Sequence, residues 1–591
     1  MDAKLSTQNA PFRDAGYAPR RLEIERRPGG EMILVNPTPF DAGFTTATDP
    51  LLHWAKAAPS RLWLAERSGE GWRELNYREG AERVAALAGG LRRLGVVGDR
   101  PLLILSRNGI DHALIAYAAM SQGLPIAPVS PQYGLAGADL SRLAHACEVL
   151  NPAAVYTEDA ALFAHGLSAP FLAGLPVIAA ANPRPGDVAL DSLYADAPAA
   201  PTAAPEQHAK YMLTSGSTGH PKAVIMTHRG LAVNAAQIKA VFDDPDPPVM
   251  VHSAPWSHSL GANAILHMGL HRGGALYIDA GQPTAARFAE TVRNLKEIAP
   301  TYQNMVPAGW MLFAEALEKD ETLARNFFSR LKLMQYGGAA LGQDIGDRIQ
   351  AVAVRTIGCR IGFSSGYGAT ETGPTAANVH WLNDRMGLMG LPLPGTSVKL
   401  TPVQGKLEFR VKGPQVTAGY LNQPDKSAAA FDEEGFYRLG DAARFVDPEN
   451  PEAGLVFDGR ISENFKLASG TFVSVGELRI GAIGAIGGAV TDAVVCGENR
   501  EQVGLLLYPN PTMGRDEIQA AARAGLKRFN AQAKGAGGRV ARALVLPDGP
   551  NAAAGEITDK GYIAQSLARA RRADAVEALF AAEPGPDVIL L

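Results

Sequence analysis

Between Tyr77 and Pro131 the chain alternates two kinds of apolar pattern, and that alternation restricts its fold more than any other feature of its 591 residues. The stretch YREGAERVAALAGGLRRL, from Tyr77 to Leu94, carries apolar residues at helical spacing, and PLLILS from Pro101 follows as the short unbroken apolar run of a buried strand. DHALIAYAAMSQGL returns to the helical pattern, and PIAPVSP reads as a second strand leaving into a proline-bounded loop. Helix and strand in turn place parallel strands side by side with helices over their faces. An α/β protein is expected, and a chain of this length outgrows a single hydrophobic core, so more than one domain is expected too.

Residues 182–207, NPRPGDVALDSLYADAPAAPTAAPEQ, are too irregular for a strand and too proline-rich for a helix, and read as a surface connection. LEFRVKG and LVFDGR read as short strands before Gly459-Arg460, after which a compact run of strands and helices reaches Leu591. The expected organisation is a large N-terminal domain of mixed sheets covered by helices, residues 1–459, and a small mobile α+β domain, residues 460–591. No internal repeat is visible.

The formal net charge is -4, so the chain has no general electrostatic pull toward nucleic acid, and the pairs Arg20-Arg21 and Arg26-Arg27 read as solvated charge. Its three cysteines, Cys147, Cys359 and Cys496, are scattered and encode neither a disulfide framework nor a metal cluster, which suits a reducing cytoplasm. The polar N-terminus has no apolar core, and no later segment approaches the ~18 unbroken apolar residues of a membrane span. A cytoplasmic protein with no nucleic-acid or membrane partner is expected. No heptad pattern speaks to assembly, and a homodimer is left open.

The stretch TSGSTGHPKAV, Thr214 to Val224, lies in a glycine-hydroxyl turn between two strand-like segments. It is not the nucleotide loop G-x-x-x-x-G-K-[ST], because Gly219 is followed by His220-Pro221-Lys222-Ala223: the lysine is displaced and the following hydroxyl is absent. The loop can still wrap phosphates, since Gly216 and Gly219 let backbone N–H groups approach an anion while Thr214, Ser215, Ser217 and Thr218 add hydroxyl donors. SSGYGATETGP, from Ser364, offers an aromatic face for a purine in Tyr367, a hydroxyl for a phosphoryl oxygen in Thr370 and a hard carboxylate for a hard cation in Glu371. In YGGAALG, from Tyr336, Gly337, Gly338 and Ala339 allow close backbone approach.

With APWSHSLGAN from Ala254, the block LEFRVKGPQVTAGYLNQPDKSAAAFDEEGFYRLGDAARF and the segment GRISENFKLASGTFVSVGELR, these stretches resemble in order the signature segments of the acyl-adenylate-forming superfamily. That superfamily holds acyl- and aryl-CoA synthetases, peptide-synthetase adenylation domains and firefly-type luciferases. The resemblance runs from about Leu75 to Ile563. It implies that Tyr367 and Gly368 meet adenine, that Thr370 meets the α-phosphate, that Glu371 with Thr218 holds Mg2+, and that Lys222 serves the phosphate loop. Gly337, Gly338 and Ala339 would line adenine, Asp441 would bind the ribose hydroxyls, and Arg460 the ribose or phosphate. His258 would stand near the acyl group, and Tyr302, Met305, Trp310 and Met334 lie in segments that line the family's acyl pocket. Two departures stand out: Leu439 replaces a usual threonine, and Ser462 occupies a hinge position usually held by aspartate or lysine.

The same resemblance implies ATP, Mg2+ and coenzyme A as cofactor and co-substrates, and a two-step reaction. An acyl-adenylate forms with loss of pyrophosphate, the small domain turns about Ser462, and a thiol displaces AMP. A lysine of the small domain would bridge carboxylate and α-phosphate. Lys560, in GEITDKGYI, is the first candidate, with Lys527 and Lys534 as alternatives. That C-terminal context and FKLASGTFVSVGELR look most like bacterial feruloyl-CoA synthetases, which implies a small aromatic acid such as ferulate and a place in phenylpropanoid degradation. A ligase for another aryl or fatty acid, a luciferase-like oxidoreductase and a non-catalytic nucleotide-binding protein are the alternatives.

Overall fold

Helix Tyr77–Arg93 starts where the Asn76 side chain accepts the Glu79 N–H at 2.9 Å, and it buries Val84, Leu87 and Leu91 along one stripe. The apolar run after it is strand Leu102–Leu105, buried at every residue. Helix Ile110–Ser121 is buried almost all round because it lies inside the large domain. This computed structural model describes residues 7–591 except 196, 215–220, 243, 285, 339–340, 534, 552–555 and 557–562, and it leaves out the side chains of Ala195 and Ser462.

Among the described residues the first sheet runs Lys222–Thr227, His208–Thr214, Ile126–Val129, Leu102–Leu105, Ala154–Asp159, Val177–Ala181, Val188–Ala189. Its strands are parallel except for the first two, which form an antiparallel hairpin. The 182–207 connection is more ordered than its composition suggests, with the short strand Val188–Ala189 and a 3-10 turn at Leu190–Ala195. Leu190 and Leu193 are buried there, and Leu193 lies so close to Gly90 that a Cβ on that glycine would stand 2.6 Å from it. Burial of two leucines overrides the local proline bias.

A second, mixed sheet of eleven strands begins with Glu23–Arg26 and Met32–Val35, crosses Ser397–Val403, Lys406–Lys412, Tyr437–Phe445 and Leu455–Arg460, and ends with Gly362–Tyr367, Leu333–Tyr336 and Tyr302–Met305. The first sheet's hairpin docks on its connections: Leu421 donates to the Ala223 carbonyl at 2.9 Å and Ile225 to that of Gly419 at 3.1 Å. After Arg460 the chain builds a smaller four-stranded sheet, Val490–Cys496, Val503–Pro509, Val540–Val545 and Val588–Leu590, with helices Val475–Ile486 and Arg515–Ala531. Its apolar clusters draw only on residues from Phe465 onward. The fold is mixed α/β with a large N-terminal and a small C-terminal domain.

Candidate functional site

The 3-10 turn Thr370–Thr372 follows the last parallel strand of the mixed sheet, and all three of its residues are buried. Gly368 is required before it by close approach: a Cβ there would lie 2.1 Å from the Pro374 carbonyl oxygen. The turn is held from several sides. The Ser259 and Thr370 hydroxyls are 3.0 Å apart, Asn263 Nδ2 donates to the Gly373 carbonyl at 3.3 Å, and Asn234 Nδ2 donates to that of Thr375 at 2.8 Å. On the other flank the Thr417 N–H donates to the Glu371 carbonyl at 2.8 Å, and the Tyr420 hydroxyl donates to Glu371 Oε1 at 3.1 Å.

Tyr420 ties this carboxylate to the phosphate-loop candidate. Lys222 Nζ lies 4.5 Å from the centre of the Tyr420 ring, and Lys222 pairs across the hairpin with Thr214. The Tyr420 hydroxyl is also 3.0 Å from that of Tyr437. Burial first, and the Glu371 charge second, push both phenols well above their ordinary range, so they stay protonated beside the carboxylate. Ser215, Gly216, Ser217, Thr218 and Gly219 lie outside the described residues. Thr214 and Lys222 fix both ends of that loop.

Next to the turn, the Tyr367 hydroxyl donates to Asp441 Oδ2 at 2.5 Å, and Arg460 Nε stands 3.2 Å from Asp441 Oδ1. Asp441 and Arg460 are direct partners on neighbouring antiparallel strands, which is why residues so far apart in sequence meet. The Tyr367 ring is set edge-on to Phe409 at 5.1 Å between centroids. Gly338 takes φ +84, a conformation that suits glycine, with nothing within 4 Å of its missing Cβ, and Gly337 before it is buried. Ala339 lies outside the described residues.

His258 is half-buried just before the π-helix Leu260–His267, and its Nδ1 accepts the Leu260 N–H at 3.3 Å. The neighbouring Ser259 touches Thr370, which brings the histidine segment to the turn. The acyl-pocket candidates divide between two faces of the sheet. Tyr302 donates to Gln335 Oε1, which also accepts from Asn304 Nδ2 at 2.7 Å. Met305 and Met334 point to the opposite face and join the cluster of Trp310, Phe313, Phe327 and Phe363 beneath the helices. Lys527 is exposed on helix Arg515–Ala531, whereas Lys534 and Lys560 lie outside the described residues.

Sequence reasoning missed Ser259, Asn263, Tyr420, Tyr437 and Lys210. The first two sit four apart in the quoted APWSHSLGAN, a spacing that already places them on one helical face. Tyr420 and Tyr437 carry no spacing signal that sets them apart from ordinary strand and turn tyrosines, and Lys210 carries only that of a charge inside an apolar strand.

Residues 51–421 match the family described as AMP-binding enzyme, and residues 481–584 match the AMP-binding enzyme C-terminal domain. The chain is 24% identical over 442 residues to a 4-coumarate–CoA ligase of Pinus taeda, covering 71% of this chain and 77% of that one. It is 26% identical over 389 residues to a feruloyl-CoA synthase of an Amycolatopsis species, covering 63% and 72% respectively. The crystal structure of ATP-bound MatB from Rhodopseudomonas palustris has the same fold, with a TM-score of 0.72 at 19% identity over 90% of this chain and 99% of that one. Among the described residues no helix is long and apolar enough to cross a membrane.

Proposed function

We propose, from the premise that this chain belongs to the AMP-binding enzyme family, that it is an ATP-dependent acid–CoA ligase acting on hydroxycinnamic acids such as ferulate. The carrying observation is the buried Thr370–Glu371 turn, flanked by the Lys222–Tyr420 contact on one side and the Tyr367–Asp441–Arg460 group on the other. An aromatic ring, a carboxylate beside an arginine, a hydroxyl and a second carboxylate in that order suit base, ribose, α-phosphate and cation. The curated relatives named for 4-coumarate and ferulate support the choice of acid.

In the first step a carboxylate oxygen of the acid attacks the α-phosphorus of ATP and the bond to pyrophosphate breaks. Thr370 meets the α-phosphate, Lys222 and the 214–219 loop carry the outgoing phosphates, and Lys560 bridges the two anions. Glu371, whose buried carboxylate accepts from the Tyr420 hydroxyl, would hold Mg2+ together with Thr218, a residue outside the described ones; the cation takes hard oxygen donors and one or two carboxylates beside substrate phosphates. Mg2+ supplies Lewis-acid neutralisation of the phosphate charge when bound. In the second step the small domain, residues 460–591, has turned about Ser462; the thiol of coenzyme A attacks the acyl carbon, loses its proton, and the bond to AMP breaks.

A panel of ferulate, coumarate, caffeate, benzoate and palmitate with ATP and coenzyme A tests the reading, scored by AMP release and thioester formation. Turnover is expected to be best with the hydroxycinnamates. A preference for palmitate rejects the acid, and release of no AMP with any of them rejects the ligase.

A further inference from the structure

Lys210 is buried to 2% exposure in strand His208–Thr214. Its Nζ is 3.0 Å from Asn263 Oδ1 and 3.1 Å from His267 Nε2, and His267 Nδ1 is 2.8 Å from the Tyr117 hydroxyl. Every one of these partners is neutral. Burial lowers the Lys210 ammonium to about 7, and burial, with Lys210 beside it, pulls His267 well below its usual value. Nearby, burial lowers His112 and His228 to about 4, with Asp49 opposing it at His228, and burial raises Tyr77, which stands near Tyr117.

The arrangement leaves one orientation for the Asn263 amide. The Gly373 carbonyl can only accept, so Nδ2 faces it at 3.3 Å, with the Met226 sulfur at 3.1 Å, and the amide oxygen is left to accept from Lys210 Nζ at 3.0 Å. His267, accepting at Nε2, carries its proton on Nδ1 and donates to Tyr117. Ser259, Asn263 and His267 follow one another at intervals of four along the π-helix and its entry, so one face of that helix carries the clamp on Thr370, the clamp on Gly373 and the contact to Lys210. A π-helical stretch of this length is rare, and π-geometry is frequent at functional sites.

We propose that Lys210 is a positioning residue for the adenylation step: it locks Asn263 so that the amide holds the Gly373 carbonyl, and with it the Thr370–Glu371 turn, in register with the phosphates. It touches neither substrate nor metal and acts through Asn263. The inference rests on the ligase reading above, because it assigns the turn its task.

The test uses the full chain and the best acid of the panel, with acid-dependent ATP–pyrophosphate exchange for the first half-reaction and thioester formation from supplied acyl-adenylate and coenzyme A for the second. Lys210→Met keeps the stem and removes the donor. Asn263→Asp gives Lys210 a counter-charge yet, when ionised, takes away the donor to Gly373. Both variants are expected to lose about tenfold or more in kcat for exchange, the scale expected when a reacting group is misplaced. KM for the acid and the thioester step should each stay within about twofold, the signature of an interaction made in one transition state. Wild-type exchange rates in both variants overturn the proposal, as does an equal loss in both half-reactions, which marks a merely structural role. Should Lys210→Met fail to fold, Asn263→Asp decides alone. Absence of exchange in the unaltered protein with every acid instead overturns the ligase reading itself.

Discussion

Lys210 and Lys399 are both buried, at 2% and 3% exposure, and they solve the problem of a buried charge in opposite ways. Lys399 lies 2.6 Å from Asp432 and 2.8 Å from Glu434, and Asp432 is shared with Arg410 at 3.0 Å. Burial acts to lower Lys399, but the bonds from Asp432 and Glu434 outweigh it and the ammonium ends above its ordinary range. Lys210 has an amide and an imidazole instead, and burial wins. The Lys399 cluster compensates itself and joins the strands Ser397–Val403 and Lys406–Lys412 to the loop after Phe431. Among the described residues Lys210 has no carboxylate to hold its charge, and its Nζ instead supports the orientation of a group beside the candidate site. A buried polar group that costs stability and still occupies one defined geometry points to function more than a paired one does.

The largest effect expected lies at the turn that the Lys210 side supports. Glu371→Gln is expected to reduce adenylate formation by about a hundredfold or more through loss of a charged ligand. Its thermal midpoint should stay close to that of the parent, because the Tyr420 hydroxyl can still donate to the amide oxygen. Pyrophosphate exchange at the parent rate removes the turn from the chemistry and the comparison with it.

Lys399→Met tests the other side. It leaves the buried Asp432 with Arg410 as its one charged partner among the described residues, beside the Glu434 and Phe436 N–H groups, and losing one partner of such a group costs about 3 kcal/mol. Urea unfolding should show that loss, while exchange per folded molecule stays at the parent value. A drop in kcat without a drop in stability would erase the distinction between the two lysines.

The pH dependence of stability separates them further. The folded ammonium of Lys210, at about 7, lies below the ~10.4 of an unfolded lysine. Between those values the unfolded chain binds the additional proton, so this site adds stability as pH rises through that window. For Lys399, raised in the folded state, the contribution is present below ~10.4 and is lost above it. On the acid side burial acts to raise Asp432, but Lys399, the Phe436 N–H and Arg410 together hold it at about 2. Its contribution is present above ~3.9 and fades as pH falls toward 2. Midpoints measured from pH 6 to 10 are therefore expected to shift in favour of the parent over Lys210→Met as pH rises. A pH-independent difference would show that Lys210 is not held unpaired.

Much of this site is legible in the chain because its parts are short and continuous: Tyr367, Thr370 and Glu371 fall within five residues, and Thr214 and Lys222 end one hairpin. The helix-strand alternation from Tyr77 is legible for the same reason, since each pattern repeats within one element. What braces the turn is not legible. Ser259 to Thr370, Asn263 to Gly373 and Tyr420 to Glu371 are contacts between segments that only the sheet order brings together. The strand pleat likewise separates Met305 and Met334 from Tyr302, although all three belong to segments implied to line one pocket. The 188–195 connection acquires order through Leu190 and Leu193, whose burial depends on the helix they meet.

Tyr367→Phe gives the smallest effect and examines an arrangement between the two lysines: a carboxylate, Asp441, held by one arginine and one neutral hydroxyl. The substitution keeps the ring, and so any stacking on a base, and removes only the donor to Asp441 Oδ2. A hydrogen bond to a charged group contributes about 1.5 to 3 kcal/mol where water is excluded, and less at a half-buried position open to solvent. The expected result is a KM for ATP raised about three- to tenfold with kcat nearly unchanged, because Asp441 and Arg460 remain paired and the loss falls on nucleotide binding common to ground and transition states. Tyr367→Ala should exceed it, since the ring is lost as well. If Tyr367→Phe instead lowers kcat and leaves KM unchanged, the hydroxyl orients the reacting phosphate, and Asp441 belongs with the groups that set geometry, as Lys210 does.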